Sequence, residues 1–262
     1  MTNATDVVTA ADRLVAAQET STPCAPVRDL IDDIEAAYAV QDELVARREA
    51  GGARVVGRKI GLTSSAVQKQ LGVDQPDFGV LFDDMAYTDG DAISTTGLLQ
   101  PKIEAEVAFI LGSDLDGDLD IGVVHRAVRE AAPALEVVDS RISDWDITIV
   151  DTVADNGSSA AFVLGEARIS LEDVDPRDVT MSLFVDGAQA SSGTGEACLG
   201  DPLEALLWLA ITARDHGSPL RAGEVVLSGA LGSMVPVAAG QTVRADISGL
   251  GSVAVTFVED RA

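Results

Sequence analysis

The chain has 262 residues, 47% of them apolar and only 4% aromatic; that length and apolar content suffice for one large domain, or a small one leaning on a larger, and exclude wholesale disorder. Its 18 basic against 43 acidic residues give a formal charge of −25. Such a surface repels phosphate backbones and anionic lipid, and with few rings to stack on bases it argues against nucleic-acid and membrane partners.

The opening MTNATDVVTAADRL has neither the basic nor the apolar segment of a secretion signal. The longest apolar stretches are broken by Gly, Pro or charge well short of about 18 residues. Together these predict a cytoplasmic protein. Helical periodicity marks residues 5–19 and 30–49, the second through Ile31, Ile34, Ala37, Tyr38 and Val45. Residues 20–26, with two prolines, connect them, and Gly51-Gly52 stops the second helix. Residues 53–60 (ARVVGRKI) read as a strand, followed by a turn, a short helix over 64–71 and a short strand from Phe78 to Phe82. Further on, strand-like runs occupy 102–111, 134–139, 180–185, 224–229, 241–247 and 252–258, with helical patterns near 118–131 and 202–215. The expected class is therefore α+β: a helical N-terminal portion, then a mixed β-rich domain. Strands and helices do not alternate regularly, which disfavours a Rossmann-like sheet or a TIM barrel.

Read as a strand, Lys102-Ile103-Glu104-Ala105-Glu106-Val107-Ala108-Phe109 turns Ile103, Ala105, Val107 and Phe109 to one side and both glutamates to the other. Their Cα atoms then lie about 6.5–7 Å apart, close enough to converge on one ion. Glu136 sits among apolar residues in Ala134-Leu135-Glu136-Val137-Val138, where a buried carboxylate needs a partner or a cation. Three oxygen donors suit a hard ion, Mg²⁺ or Mn²⁺. The same spacing also fits a solvated strand face with its glutamates in salt bridges. His125 and His216 are the only histidines, so a histidine-rich zinc site is excluded; His216 precedes Gly217 at an apparent helix end. Cys24 and Cys198 belong to no metal-spaced cluster and read as reduced thiols.

Lys59 lies between β-type apolar residues in Gly57-Arg58-Lys59-Ile60-Gly61. Near a cation its pKa would fall and it would shuttle protons; left charged, it would bind an anion; a snorkelling surface lysine fits as well. Asp77, in Asp74-Gln75-Pro76-Asp77-Phe78-Gly79, caps a turn, orients water or pairs with Lys59. Asp155-Asn156-Gly157-Ser158-Ser159 is a second polar turn before Ala160–Leu164. Ser228-Gly229-Ala230-Leu231-Gly232 lacks the Lys-Ser/Thr of a P-loop, so nucleotide binding has no support.

In order, GRKIGLTSSAVQKQLGVDQPDFGVLFDDM (57–85), QPKIEAEVAFILG (100–112) and PALEVVDSRISDWDITIVDTVADNGSSAAFVLG (133–165) resemble the 2-hydroxypenta-2,4-dienoate hydratases. These form part of the hydratase/decarboxylase branch of the fumarylacetoacetate hydrolase superfamily, and the resemblance covers most of residues 30–260. It implies a fumarylacetoacetase-like catalytic domain, here taken as 71–262 after an N-terminal portion at 1–70. It implies metal-binding roles for Glu104, Glu106 and Glu136, an active-site role for Lys59 and pocket roles for Asp77 and Ser159. The implied activity is hydration of 2-hydroxypenta-2,4-dienoate to 4-hydroxy-2-oxopentanoate in meta-cleavage catabolism of aromatic compounds, with Mg²⁺ or Mn²⁺. Homo-oligomers, and association with a neighbouring pathway enzyme, are implied as well. The alternatives are a 4-oxalocrotonate decarboxylase, which lacks an acid matching Asp77, and a hydratase for a hexadienoate or heptenedioate homologue. Gly157 departs from the family pattern, where Ala is usual, and is expected only to loosen its turn.

Overall fold

In a computed structural model, residues 3–64, 68, 73 and 75–259 are described. Helix α1 (Ala4–Glu19) starts at a capping box in which Asn3 accepts from the Thr5 and Asp6 amides and Asp6 bonds back to Asn3. Helix α2 (Ile34–Ala50) begins four residues later than the periodicity suggests, because Asp33 caps it by accepting from the Ala36 amide. Residues 27–28 instead donate both backbone amides to Asp151 and form a turn. The chain then leaves α2 at Gly51, followed by Gly52 at φ +100°.

Strands β1 (Val55–Gly61), β2 (Asp77–Phe82), β3 (Ala86–Thr88), β5 (Lys102–Leu111), β6 (Val128–Val138), β7 (Ser159–Leu164), β10 (Val225–Ala230) and β11 (Val235–Pro236) form one mixed sheet. Its order is β2-β1-β10-β5-β6-β7-β3, with β11 also on β5. A second sheet, ordered β4-β13-β12-β8-β9, contains β4 (Ala92–Ser94), β8 (Thr180–Val185), β9 (Ala188–Thr194), β12 (Thr242–Ile247) and β13 (Gly251–Val258). It packs through β12 and β13 on β6 and β7, and the core between carries Leu135, Val137, Leu183, Val253 and Phe257, all under 1% exposed. Helix α3 (Ile121–Ala127), helix α4 (Ile149–Ala154) and helix α5 (Pro202–Asp215) complete the α+β fold. Helix α5 lies on α3 and on β10 and β1, and α2 lies on α1 and α4.

Two sequence expectations are corrected. The helical pattern over 118–131 ends at Ala127, and β6 begins at Val128, six residues before the strand read from the sequence. Pro133 disfavours helix at Ala132, while β5 pairs continuously from Ala134 back to Glu130 and Ile169 bonds Ala131 from outside. The sequence division at residue 70 leaves β1 outside the catalytic domain, yet β1 is hydrogen-bonded between β2 and β10 inside the large sheet. The short helix expected over 64–71 falls largely outside the described residues. The other strands read from the sequence and the helix at 202–215 lie within two residues of their expected ends, while β3, β4, β9 and β11 were not read from it. Among the described residues no helix is long and apolar enough to cross a membrane.

Candidate active site

The alternation of β5 turns Glu104 and Glu106 to the same face. The β5–β6 register sets Glu104 directly opposite Glu136, so the third carboxylate joins them from the neighbouring strand. One carboxylate oxygen from each lies within 4.8 Å of the others. Glu106 and Glu136 are fully buried and Glu104 is 9% exposed, which removes the alternative of a solvated strand face.

Lys59 reaches the cluster from β1, across β10. Its Nζ stands 3.3 Å from Glu136 Oε1. Strand β10 yields locally: its register with β5 slips between Leu227 and Ala230, and Gly229 takes φ +111°, a backbone state that L side chains rarely adopt. The freed Gly229 amide donates to Glu106 Oε2 at 2.6 Å. Asp77, the first residue of β2, pairs in register with Gly61 and is fully buried. Its Oδ2 accepts from the Thr152 hydroxyl at 3.2 Å, and a Cβ on Gly61 would meet Oδ1 at 2.1 Å.

The polar turn at 155–159 is a scaffold for this arrangement. Asn156, Gly157 and Ser158 occupy three successive left-handed positions, at φ 56°, 60° and 53°. The Asn156 amide extends β2, accepting from the Val80 amide and donating to the Val80 carbonyl. Asp155 is buried, takes the Arg141 guanidinium at 2.6 Å and accepts from the Ser158 hydroxyl. A Cβ on Gly157 would sit 2.5 Å from Lys59 Cε. Gly157 therefore does more than loosen the turn: it leaves the space that the lysine stem fills.

Lys59, Asp77 and Glu104 line a cavity of about 650 Å³ whose wall also includes Thr63, Lys102, Trp145, Thr152 and Ser158. Ser159 is placed differently from its neighbour: it opens β7 opposite Val138, buried, its hydroxyl without a hydrogen-bond partner, while Ser158 is the serine on the wall. His216 caps the C-terminus of α5 and packs 4.8 Å from the Tyr38 ring, and His125 lies in the last turn of α3.

The electrostatics of the cluster follow from burial. Burial, then Glu136, raises Glu104 to about 7. Burial, then Glu136 and Glu104, lifts Glu106 well above the ordinary carboxylate range. Asp77 is raised by burial against the pull of Lys59. For Lys59 burial is the largest influence and acts downward, but Glu136, Asp77, Glu104 and Glu106 together outweigh it and hold the ammonium above its ordinary pKa. These carboxylates alone keep the lysine charged; a cation held by them would act in the opposite direction and bring its pKa down. Both oxygens of Glu136, Oε1 of Glu106 and Oδ1 of Asp77 are buried without a hydrogen bond. Such a set of oxygen acceptors suits a hard divalent cation, whose charge offsets the cost of burying carboxylates side by side.

Sequence reasoning did not find Thr152, the Gly229 amide or the Arg141–Asp155 pair. Thr152 follows a carboxylate in a six-residue helix, too short to show a period, and an amide has no sequence signal.

The family described as fumarylacetoacetate (FAA) hydrolase C-terminal matches residues 52–258. A protein of Pseudomonas putida named TodF product hydratase is 54% identical, over 95% of this chain and 94% of its own. A 2-keto-4-pentenoate hydratase of Burkholderia vietnamiensis is 52% identical over 99% of this chain and 100% of its own. Among solved structures, 4-oxalocrotonate decarboxylase from Pseudomonas putida G7, complexed with magnesium and adipate, superposes with a TM-score of 0.94 at 34% identity, covering 98% of this chain and 99% of that one.

Proposed function

The chain belongs to the fumarylacetoacetate hydrolase family, and on that premise we propose how its cavity serves a hydratase. The reaction is addition of water to 2-hydroxypenta-2,4-dienoate, the enol form of 2-oxopent-4-enoate, giving 4-hydroxy-2-oxopentanoate in meta-cleavage catabolism of aromatic compounds. The observation that carries this reading is the identity of 52–54% over nearly the whole chain to hydratases, against 34% to the decarboxylase.

Glu104, Glu106 and Glu136 hold a divalent ion, Mg²⁺ or Mn²⁺, a reading supported by their three converging carboxylates and by the magnesium in the decarboxylase complex. Bound there, the ion supplies positive charge that polarises the 2-oxygen of the substrate. Lys59 and Asp77 carry out the proton transfers. A proton leaves the 2-hydroxyl and one is added at C5, which ketonises C2 and moves the double bond to C3–C4. Water then adds its oxygen at C4 and a proton at C3. Asp77 suits this work because Thr152 fixes one carboxylate oxygen and the other is free of hydrogen bonds. Lys59 is the buried cation beside the carboxylates that would hold the ion. Ser159, buried next to the wall residue Ser158, keeps an uncommitted hydroxyl, and the resemblance assigns it to the substrate. We further assign the protein to the cytoplasm as a homo-oligomer that associates with a neighbouring pathway enzyme.

The test adds freshly generated 2-hydroxypenta-2,4-dienoate to metal-stripped protein, with and without Mg²⁺ or Mn²⁺. Loss of the dienol absorbance is followed and the product identified. Metal-dependent 4-hydroxy-2-oxopentanoate is the expected outcome. No hydration with either ion, combined with carbon dioxide release from the dicarboxylic precursor, would move the assignment to the decarboxylase.

A further inference from the structure

The chain contains three lysines, Lys59, Lys69 and Lys102. Two of them line the cavity, and they are the only cations on its wall among the described residues. Lys59 is committed to Glu136 and only 3% exposed. Lys102 is not committed in that way. It lies on the face of β5 that carries Glu104, about 6.5–7 Å along the strand, and forms no ion pair with a described carboxylate. Its ammonium rests 3.8 Å from the centroid of the Trp145 ring, which also lines the cavity.

That platform is built at a cost. Asp144 and Trp145 take φ 59° and 55°, two successive left-handed residues with side chains, a backbone state that L residues rarely adopt. The Trp145 indole is held by donating to the Gln100 carbonyl at 3.1 Å, and the Gln100 amide is itself fixed on the Ser140 and Ile142 carbonyls. Strain of this kind persists where the surroundings over-determine it, often at a ligand site. An organic acid approaching a chain of charge −25 must pass Asp77 and Glu104 on the cavity wall, with Glu106 and Glu136 behind them. An ammonium held in place on an aromatic face, with no carboxylate of its own, offsets that repulsion without losing rotamer freedom on binding.

We propose that Lys102, seated on Trp145, is a specificity-determining residue that binds the carboxylate of the incoming 2-oxo or 2-hydroxydienoic acid. This rests on the hydratase reading for the identity of the acid, but the role of the cation is tested separately. KM and kcat for 2-hydroxypenta-2,4-dienoate are measured with Mg²⁺ at low and high ionic strength for wild type, Lys102→Met and Lys102→Arg. In parallel, pyruvate, a small 2-oxo acid, is titrated into the Mg²⁺-loaded protein while the indole fluorescence is followed, in a Trp208→Phe background that leaves Trp145 as the reporter. Lys102→Met is expected to raise KM and the pyruvate Kd about tenfold, the loss of one charge-assisted contact, with kcat changing far less. Lys102→Arg restores most of both, and the wild-type salt dependence of KM is lost in the methionine variant. A lysine that merely packs on the indole would leave the pyruvate Kd and the salt dependence unchanged, and that result overturns the proposal. So does a wild-type protein that binds no pyruvate at millimolar concentration. If wild type binds pyruvate through Lys102 but does not hydrate the dienoate, the hydratase reading fails and the role of Lys102 stands.

Discussion

Lys59 carries its charge into a space closed on one side by Glu136 and on the other by Gly157. The lysine pairs with a carboxylate assigned to the metal and stands beside Asp77, so losing either proton-transfer group should act on turnover. Lys59→Met and Asp77→Asn are each expected to lower kcat by about 100-fold or more, measured with saturating metal; near-normal turnover in both would remove them from the chemistry. Gly157→Ala probes the same space from the turn. A methyl there meets Lys59 Cε at 2.5 Å and an alanine must hold φ +60°. The far end of a lysine can yield, so the fold should survive at a cost of about 1 kcal/mol from the left-handed backbone. Ala is usual at this position in the family the sequence resembles, so the lysine is expected to re-seat and turnover to stay near that of wild type. Thermal unfolding and kcat measured together check both expectations.

The β5–β6 pair is the element on which the site depends, because its register alone sets Glu104 opposite Glu136. Glu136→Gln keeps the shape and removes one charge. Without metal the variant loses the ion pair with Lys59 as well as the repulsion from Glu104 and Glu106, so its stability is expected to fall, because the buried ammonium is left without its nearest carboxylate. It should also bind Mn²⁺ at least about tenfold more weakly. Thermal unfolding with and without Mn²⁺ should show a smaller metal-dependent rise in melting temperature than in wild type. Much of this element was legible in the sequence: alternation placed Glu104 and Glu106 on one face, and apolar flanks marked Glu136. The register was not, because it is a pairing between strands that no local pattern encodes. Nor was the route of Lys59 over β10, which depends on the slip at Ser228–Gly229. The left-handed runs at 144–145 and 156–158 escaped for a different reason: only one of the five residues is a glycine, so tertiary contacts, not composition, hold them. The early start of β6 belongs with these cases, where pairing to β5 overrides a local helical pattern.

At the scale of the whole molecule, the acidic cluster links stability to pH in a direction opposite to that of a paired surface carboxylate. Glu104 is raised from an ordinary 4.5 to about 7 by burial and by Glu136, and Glu106 is raised with it. A carboxyl with a raised native pKa favours the folded state while protonated. Its contribution is fully present below its unfolded pKa and is lost as pH rises through the folded one. Metal-free protein is therefore expected to lose stability between about pH 4.5 and 7, by about 3 kcal/mol if the Glu104 shift is realised in full. Self-repulsion of a chain of charge −25 acts in the same direction, so the decline alone does not identify the cluster. A divalent ion does, because it binds the ionised carboxylates and gains affinity as they deprotonate. The stabilisation produced by a fixed concentration of Mg²⁺ or Mn²⁺ should grow across that pH window in wild type. In Glu104→Gln, which keeps the surface charge nearly intact, the gain should be small and flat. Melting temperatures measured with and without metal at half-unit pH steps decide between a cluster built for a cation and a stability loss spread over the acidic surface.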